Sequence, residues 1–277
     1  MNQRLKNVRS THFTALVLAG RRGPIDPVAQ SASCSHKVLV PVAGTPMILH
    51  VVRNLRAAQT IDAIVICTDN PAAFAGLTEL HTLANSGGLG FYQTGGRSPS
   101  ESVLQYFASN LHPTPLLITT ADHPLLTTEM IDYFCTEASA SAADVAVGMV
   151  AESSFRKHYP NSQRSFIPLR NDSYCGTNLF ALLTPQGVAA ARFWNHAGQF
   201  RKRPWRLIST FGLTNLLLIA FRRLDLAGVL PRASRAIGAR TAVVQMPFPE
   251  CAIDVDTLYD LATVTRILAG REKNDEE

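Results

Sequence analysis

Thr14-Ala15-Leu16-Val17-Leu18-Ala19-Gly20-Arg21-Arg22-Gly23, with Lys37 downstream, is the stretch that decides the fold class. An apolar run beginning at Phe13 breaks at a glycine and meets paired arginines. A segment without periodicity follows, holding glycine, proline, serine and cations, and it ends at the lysine. A near-continuous apolar run of this length reads as a strand buried on both faces, the pattern of a parallel sheet. A glycine-containing turn directly after such a strand lets backbone amides approach a polyphosphate, and nearby cations offset its charge. Leu18, Ala19, Gly20, Arg21 and Gly23 are therefore candidate nucleotide-binding residues, with Arg22 and Lys37 as the cations that act on the phosphates. No GKS or GKT follows, which argues against a hydrolysing P-loop. An ordinary basic surface loop would show the same residues, but segment 20–37 is long for a connection, and long ordered loops are usually functional.

Downstream, strands and helices alternate in units of about 25–30 residues, the period of βαβ repeats. Pro46 opens a helical pattern in Met47, Ile48, Val51, Val52 and Leu55; strands are predicted at Ile61–Cys67, Phe91–Gln93, Pro115–Ala121 and Val145–Val150. Helices are expected over 71–84, from Ser100 to Asn110 with Ser100 as cap, and from Thr127 or Thr128. After residue 150 the chain turns polar and cationic, an excursion that returns to the sheet at Asn178–Leu183. A helix over 225–237, a strand at Ala242–Met246 and a helix carrying Leu258, Leu261, Val264, Ile267 and Leu268 complete the pattern. The expected organisation is a basic tail at 1–11, one domain over 12–270 with 151–240 as an acceptor-binding or lid insertion, and a charged tail at 271–277.

Composition excludes several classes. The net charge of +5 suits an anionic ligand without indicating nucleic acid. Five scattered cysteines, odd in number and with no CxxC pair, exclude a complete disulfide framework and zinc-ligand spacing, so a reduced, cytoplasmic setting is expected. The first apolar run is too short for a signal peptide, and Leu207–Phe221 is too short and too polar to span a bilayer. Between Arg192 and Arg240 lie ten Lys/Arg residues and a single acid, Asp225. That region suits a solvated amphipathic lid, an anionic acceptor or peripheral contact with an anionic membrane, and the apolar face of 205–221 offers a homodimer surface.

Three further motifs carry chemistry. Leu116-Leu117-Ile118-Thr119-Thr120-Ala121-Asp122-His123-Pro124 ends an apolar strand in an aspartate, where open α/β sheets place ligands. Asp122 there suits Mg²⁺, which takes one or two carboxylates plus phosphate oxygens; capping the following turn is the alternative, and His123 reads as structural. Asp254-Val255-Asp256-Thr257 precedes the last helix. In an extended segment Asp254 and Asp256 face one side and supply further metal ligands, while Asp256 or Thr257 also suits the helix N-cap. Gly95-Gly96-Arg97-Ser98-Pro99-Ser100-Glu101-Ser102-Val103 places a glycine pair before a helix start, suited to a base or phosphate, or to a turn plus capping box.

In this order the motifs resemble the MobA-like nucleotidyltransferase superfamily, which includes molybdenum-cofactor guanylyl- and cytidylyltransferases and sugar- or alcohol-phosphate cytidylyltransferases. The resemblance rests on Leu18-Ala19-Gly20 with nearby arginine, on Lys37-Val38-Leu39-Val40-Pro41-Val42-Ala43-Gly44-Thr45-Pro46-Met47, on Asp122-His123-Pro124, and on Asp254-Val255-Asp256-Thr257 ahead of Asp260-Leu261. It implies an α/β, Rossmann-like three-layer sandwich with a mostly parallel mixed central sheet, the GT-A-like nucleotidyltransferase fold. It implies that Gly20, Arg22 and Lys37 bind the triphosphate of CTP or GTP, that Asp122 and Asp256 hold Mg²⁺, and that Ser102 and Val103 face the base. It also implies NMP transfer to a phosphorylated acceptor with release of pyrophosphate. The chain departs from the family in lacking Gly-x-Gly-x-Arg spacing, in carrying His36 where proline precedes the lysine, and in having Pro99 near the place of an arginine. A related-fold glycosyltransferase using Asp254-x-Asp256 as metal motif, and a non-catalytic nucleotide-binding scaffold, are the alternative functions.

Overall fold

The computed structural model describes residues 12–21, 23, 25–109, 114–162, 164–198, 217 and 221–275. The apolar run forms β1 (Phe13–Leu18), buried on both sides as its sequence requires. Phe13, Ala15 and Val17 enter the larger core, whereas Leu16 faces the smaller one. The loop after β1 contains a short helix, α1 (Pro27–Ser31), where a structureless segment was expected. Asp26 makes it, its Oδ1 accepting from the amides of Val28 at 2.9 Å and Ala29 at 3.1 Å. A tight hairpin, β2 (Pro41–Val42) and β3 (Thr45–Pro46), delivers α2 (Met47–Ala57), whose Met47, Ile48, Val51, Val52 and Leu55 are buried.

The repeats continue through β4 (Ile61–Thr68), α3 (Thr78–Asn85), β5 (Leu89–Gln93), α4 (Pro99–Ser109), β6 (Leu116–Thr120), α5 (Thr128–Ala140) and β7 (Val145–Ala151). The helix expected over 71–84 is divided into a 3-10 turn at Pro71–Phe74 and α3, with Gly76 between them. After α6 (Glu152–His158) and β8 (Ile167–Pro168) comes β9 (Ser173–Leu182), then α7 (Val188–Gly198), α8 (Leu226–Ile237), β10 (Thr241–Gln245) and α9 (Leu258–Asp275). α9 runs past the boundary expected at residue 270.

The main sheet has the order β10-β7-β9-β6-β1-β4-β5. All neighbours are parallel except those of β9, which runs antiparallel to both β6 and β7. Segment 151–240 is therefore not only an insertion, since it supplies a central strand. β9 outruns β6: Ile118 pairs with Phe180, and the first residues of β9 continue past the end of β6, where Tyr174 and Ser173 pair with β8. On one face α2 and α5 pack with Val264 of α9 in the larger core. On the other, Val103 and Tyr106 of α4 meet Ala190 and Ala191 of α7. The result is the expected three-layer α/β sandwich. Among the described residues, no helix is long and apolar enough to cross a membrane.

Asp144 fastens the edge at which β7, β9 and β10 meet. Its carboxylate accepts from the Arg240 amide at 2.9 Å, from Arg240 Nε and Nη2 at 3.1 and 3.0 Å, and from the Thr184 hydroxyl at 2.9 Å. The Arg240 hydrogen bonds hold this carboxyl far below the ordinary aspartate value of 3.8. A depressed native pKa contributes stability that is present above 3.8 and is lost as the pH falls below it. Denaturant unfolding at successive pH values should therefore show Asp144→Asn to be less stable at neutral pH and to lose less stability than the parent below pH 3.8.

Candidate active site

The carboxyl ends of β1, β4 and β6 bring together the polar residues that follow each strand. The amide of Ala19 donates to Cys67 O at 2.8 Å and that of Ala121 to Leu18 O at 3.0 Å, so the sheet extends one residue beyond each strand. Gly20, Asp69 and Asp122 then emerge side by side at one crevice.

Asp69 was missed from sequence. It directly follows β4, the position that singled out Asp122 after β6, and that signal was available. Its Oδ1 accepts from the Arg21 amide at 3.0 Å, and its Oδ2 accepts from Arg21 Nε at 2.8 Å. Burial pushes the Asp69 carboxyl up, but the Arg21 hydrogen bonds outweigh it and leave it lowered. The returning leg of the loop meets the same group. His36 Nε2 lies 3.3 Å from Asp69 Oδ1, and Ser35 Oγ lies 3.0 Å from His36 Nδ1. His36 is buried, its ring 5.7 Å from that of Phe74.

Lys37 opens a 3-10 turn that buries Val38 and aims the lysine side chain into the crevice. Its Nζ lies 2.6 Å from Asp122 Oδ2 and 3.0 Å from Asp256 Oδ1. Burial would lower the Lys37 pKa, but the Asp122 and Asp256 carboxylates outweigh it and raise the value, so the ammonium stays charged at neutral pH. The Val255 amide donates to Asp122 O at 2.9 Å, which fixes the last crossover against the end of β6. Thr257 and Asp260 cap α9 reciprocally, Thr257 N donating to Asp260 Oδ2 at 2.8 Å and Asp260 N to Thr257 Oγ1 at 3.2 Å. The cap thus falls to Thr257, and Asp256 faces Lys37.

Asp254 does not join Asp122 and Asp256 around Lys37, a correction to its expected metal role. Its Oδ1 pairs with Arg164 Nη2, and its Oδ2 accepts from Asn178 Nδ2 at 2.7 Å. The reason is burial, since a carboxylate this enclosed needs partners for both oxygens. Burial pushes its pKa up and the Arg164 guanidinium overrides that, keeping it low. Asn178 reaches it because β9 bulges opposite Gly148 and holds Asn178 at φ 54°. His123 is wholly buried, its Nε2 3.3 Å from Glu250 O, and burial drives its pKa down toward the neutral form.

Across the crevice, Ser98 rather than Ser100 caps α4, because Pro99 takes its first turn. Ser98 Oγ accepts from Glu101 N at 3.1 Å, and Glu101 Oε2 accepts from Arg97 N at 2.9 Å. Gly96 must be glycine: a Cβ there would sit 2.7 Å from the amide nitrogen and hydroxyl of Ser102. Leu18, Ala19, Gly20, Arg21, Gly23, Lys37, Gly96, Ser102 and Asp122 all line this one crevice. Gly95 lies just outside it, its amide donating to Gln105 Oε1 at 3.1 Å, and Val103 faces a separate apolar cavity. Asp254 and Asp256 line a neighbouring groove with Arg164 and Gly176. Arg22 lies outside the described residues, as does segment 205–221 apart from Leu217 and Phe221.

Residues 15–205 match the family model of the MobA-like NTP transferase domain. The chain belongs to that family. As a MobA-like NTP transferase it is a nucleotidyltransferase, and solved structures agree with its fold. A hypothetical transferase from Thermus thermophilus is 27% identical, with TM-score 0.75, covering 91% of this chain and 100% of its own. A CMP:2-keto-3-deoxy-manno-octonic acid synthetase complexed with CTP is 16% identical, with TM-score 0.57, covering 94% of this chain and 100% of its own. A 4-diphosphocytidyl-2C-methyl-D-erythritol synthase from Anaerococcus prevotii is 12% identical, with TM-score 0.54, covering 94% and 97%. No curated protein matches the sequence.

Asp69 holds both legs of the MobA-like loop, so its loss should loosen Arg21 and His36 together. Hydrogen bonds to a charged group contribute about 1.5–3 kcal/mol, so Asp69→Ala should weaken NTP binding roughly tenfold or more. Titration calorimetry with each NTP measures this; an unchanged Kd would show that the anchor does not shape the nucleotide site.

Proposed function

We propose that this chain transfers a nucleoside monophosphate from an NTP, CTP before GTP, to a phosphorylated small-molecule acceptor, with Mg²⁺ and with release of pyrophosphate. The observation that carries the reading is Lys37 Nζ between the carboxylates of Asp122 and Asp256, beside a glycine turn at the end of β1. An acceptor phosphate oxygen bonds to the α-phosphorus, the bond from that phosphorus to the bridging oxygen of the β-phosphate breaks, and pyrophosphate leaves. No protein nucleophile takes part. Lys37, charged throughout the neutral range, offsets negative charge on the α-phosphate oxygens. Arg21 and the amides around Gly20 cradle the outer phosphates.

The donor set fits Mg²⁺. Asp122 and Asp256 bring two carboxylates to the same lysine, and Mg²⁺ is commonly held by one or two carboxylates plus substrate phosphates. When bound, it would neutralise charge on the phosphoryl oxygens. Asp122 and Asp256 are the residues that would hold it.

One point supports CTP: the cytidine nucleotides named for the two solved neighbours. The glycosyltransferase alternative, built on Asp254 and Asp256 as a paired motif, loses its first carboxylate to Arg164 and Asn178.

Pyrophosphate release, measured with four NTPs against a panel of phosphorylated acceptors, tests the reading. Asp122→Ala should lower turnover by at least about a hundredfold, the scale of losing one group that acts on transition-state charge, with an unchanged circular dichroism spectrum. Turnover at the parent rate would remove Asp122 from the site, and absence of Mg²⁺-dependent NTP binding in calorimetry would sink the proposal.

A further inference from the structure

The transfer chemistry leaves one cavity unused. It has a volume of about 340 Å³ and lies on the α4 and α7 face of the sheet, beyond the smaller core. Close-packed interiors hold few voids larger than a water molecule, so a space of this size is on the scale of a ligand site. Its walls are apolar: Ile118 of β6, Phe180 and Leu182 of β9, Val103 of α4, and Trp194 of α7. Trp194 is 46% exposed, so the cavity reaches the surface at that wall. Ser98 Oγ donates to Asn195 Oδ1 at 3.2 Å, tying the start of α4 to α7 beside it.

The cavity adjoins the nucleotide crevice. Leu18, Pro99 and Thr120 line both, and Thr120 stands two residues before Asp122. Thr120 shares a strand face with Ile118, and its buried hydroxyl has no hydrogen-bond partner among the described residues. Ser100, Thr119 and Asn178 add polar groups to the lining, and Thr120 Oγ1 is the hydroxyl shared with the nucleotide crevice, an arrangement that orients a molecule with a polar head and an apolar tail. Trp194 and Ala191, which line the cavity, belong to the helix that also carries Arg192. An apolar chamber opening at Trp194 and ending at a polar group complements an amphiphile.

We infer that the acceptor is an amphiphilic phosphomonoester whose hydrocarbon chain occupies this cavity while its phosphate meets the NTP beside Lys37 and Asp122. The inference rests on the nucleotidyl-transfer reading above. Its step balances without a redox partner: the phosphomonoester oxygen gains the α-phosphorus, pyrophosphate departs, and the product is a nucleoside diphosphate ester of the lipid alcohol.

The test uses the full chain with CTP and Mg²⁺, reading pyrophosphate release and CTP binding. The acceptors are n-alkyl phosphates from ethyl to dodecyl below their micelle concentrations, glycerol phosphate, and dioleoyl phosphatidic acid in phosphatidylcholine vesicles. Each methylene that enters an apolar site should lower KM about fourfold, until the cavity is full and KM levels off. Ala191→Phe, which fills the chamber, should move that levelling to shorter chains. Turnover of the vesicle lipid identifies a membrane source and turnover of alkyl phosphates alone a dissolved one; either supports the inference. A KM that is flat or rises with chain length, turnover confined to glycerol phosphate, or no alkyl turnover by a chain that binds CTP overturns it and leaves nucleotidyl transfer standing. Loss of both CTP binding and turnover with every acceptor overturns the transfer reading as well.

Discussion

The ammonium of Lys37 joins three parts of the chain that are far apart in sequence: the loop after β1, the end of β6 and the approach to α9. A buried ammonium alone costs several kcal/mol, and so does a buried carboxylate. Each makes the other tenable where Lys37 lies 2.6 Å from the buried Asp122, and the exposed Asp256 adds a second carboxylate at 3.0 Å. The backbone reinforces the joint, because Val255 N is bonded to Asp122 O and Thr257 with Asp260 caps the helix that follows. The shape of the crevice and the docking of the last helix thus depend on one cluster of charges.

A second anchor controls the other end of the loop. Asp69 takes hold of Arg21 on the outgoing leg and of His36 on the returning leg. A buried histidine pinned to a carboxylate stiffens the chain before Lys37, and α1 between the legs shortens the segment that has no structure of its own.

Much of this was legible in the sequence, and the physical reasons differ by element. β1 and β6 were plain because strands buried on both faces show continuous apolar runs, and Asp122 followed from its place at a strand end. The same logic pointed to Asp69 and was not applied. The first half of β9 was missed because Ser173-Tyr174-Cys175-Gly176-Thr177 has neither an apolar run nor clean alternation; neighbouring strands, not propensity, make it extended. Asp254 and Asp256 were taken together from period-two geometry, yet Arg164 and Asn178, 90 and 76 positions away, capture the first. Local spacing carries no record of a partner so distant.

The overhang of β9 lies apart from the crevice at the ends of β1, β4 and β6, and that bears on how such a chain changes over time. Because β9 runs against its neighbours, its first residues hang past the end of β6 with β8 beside them, whereas Gly20, Asp69 and Gly96 line the crevice from the other side of that strand. Insertions or substitutions between α6 and β9 remodel one bank while leaving Lys37, Asp69 and Gly96 in place. Drift in that one stretch of chain reshapes its own side of the sheet and leaves the cluster of charges around Lys37 as it is.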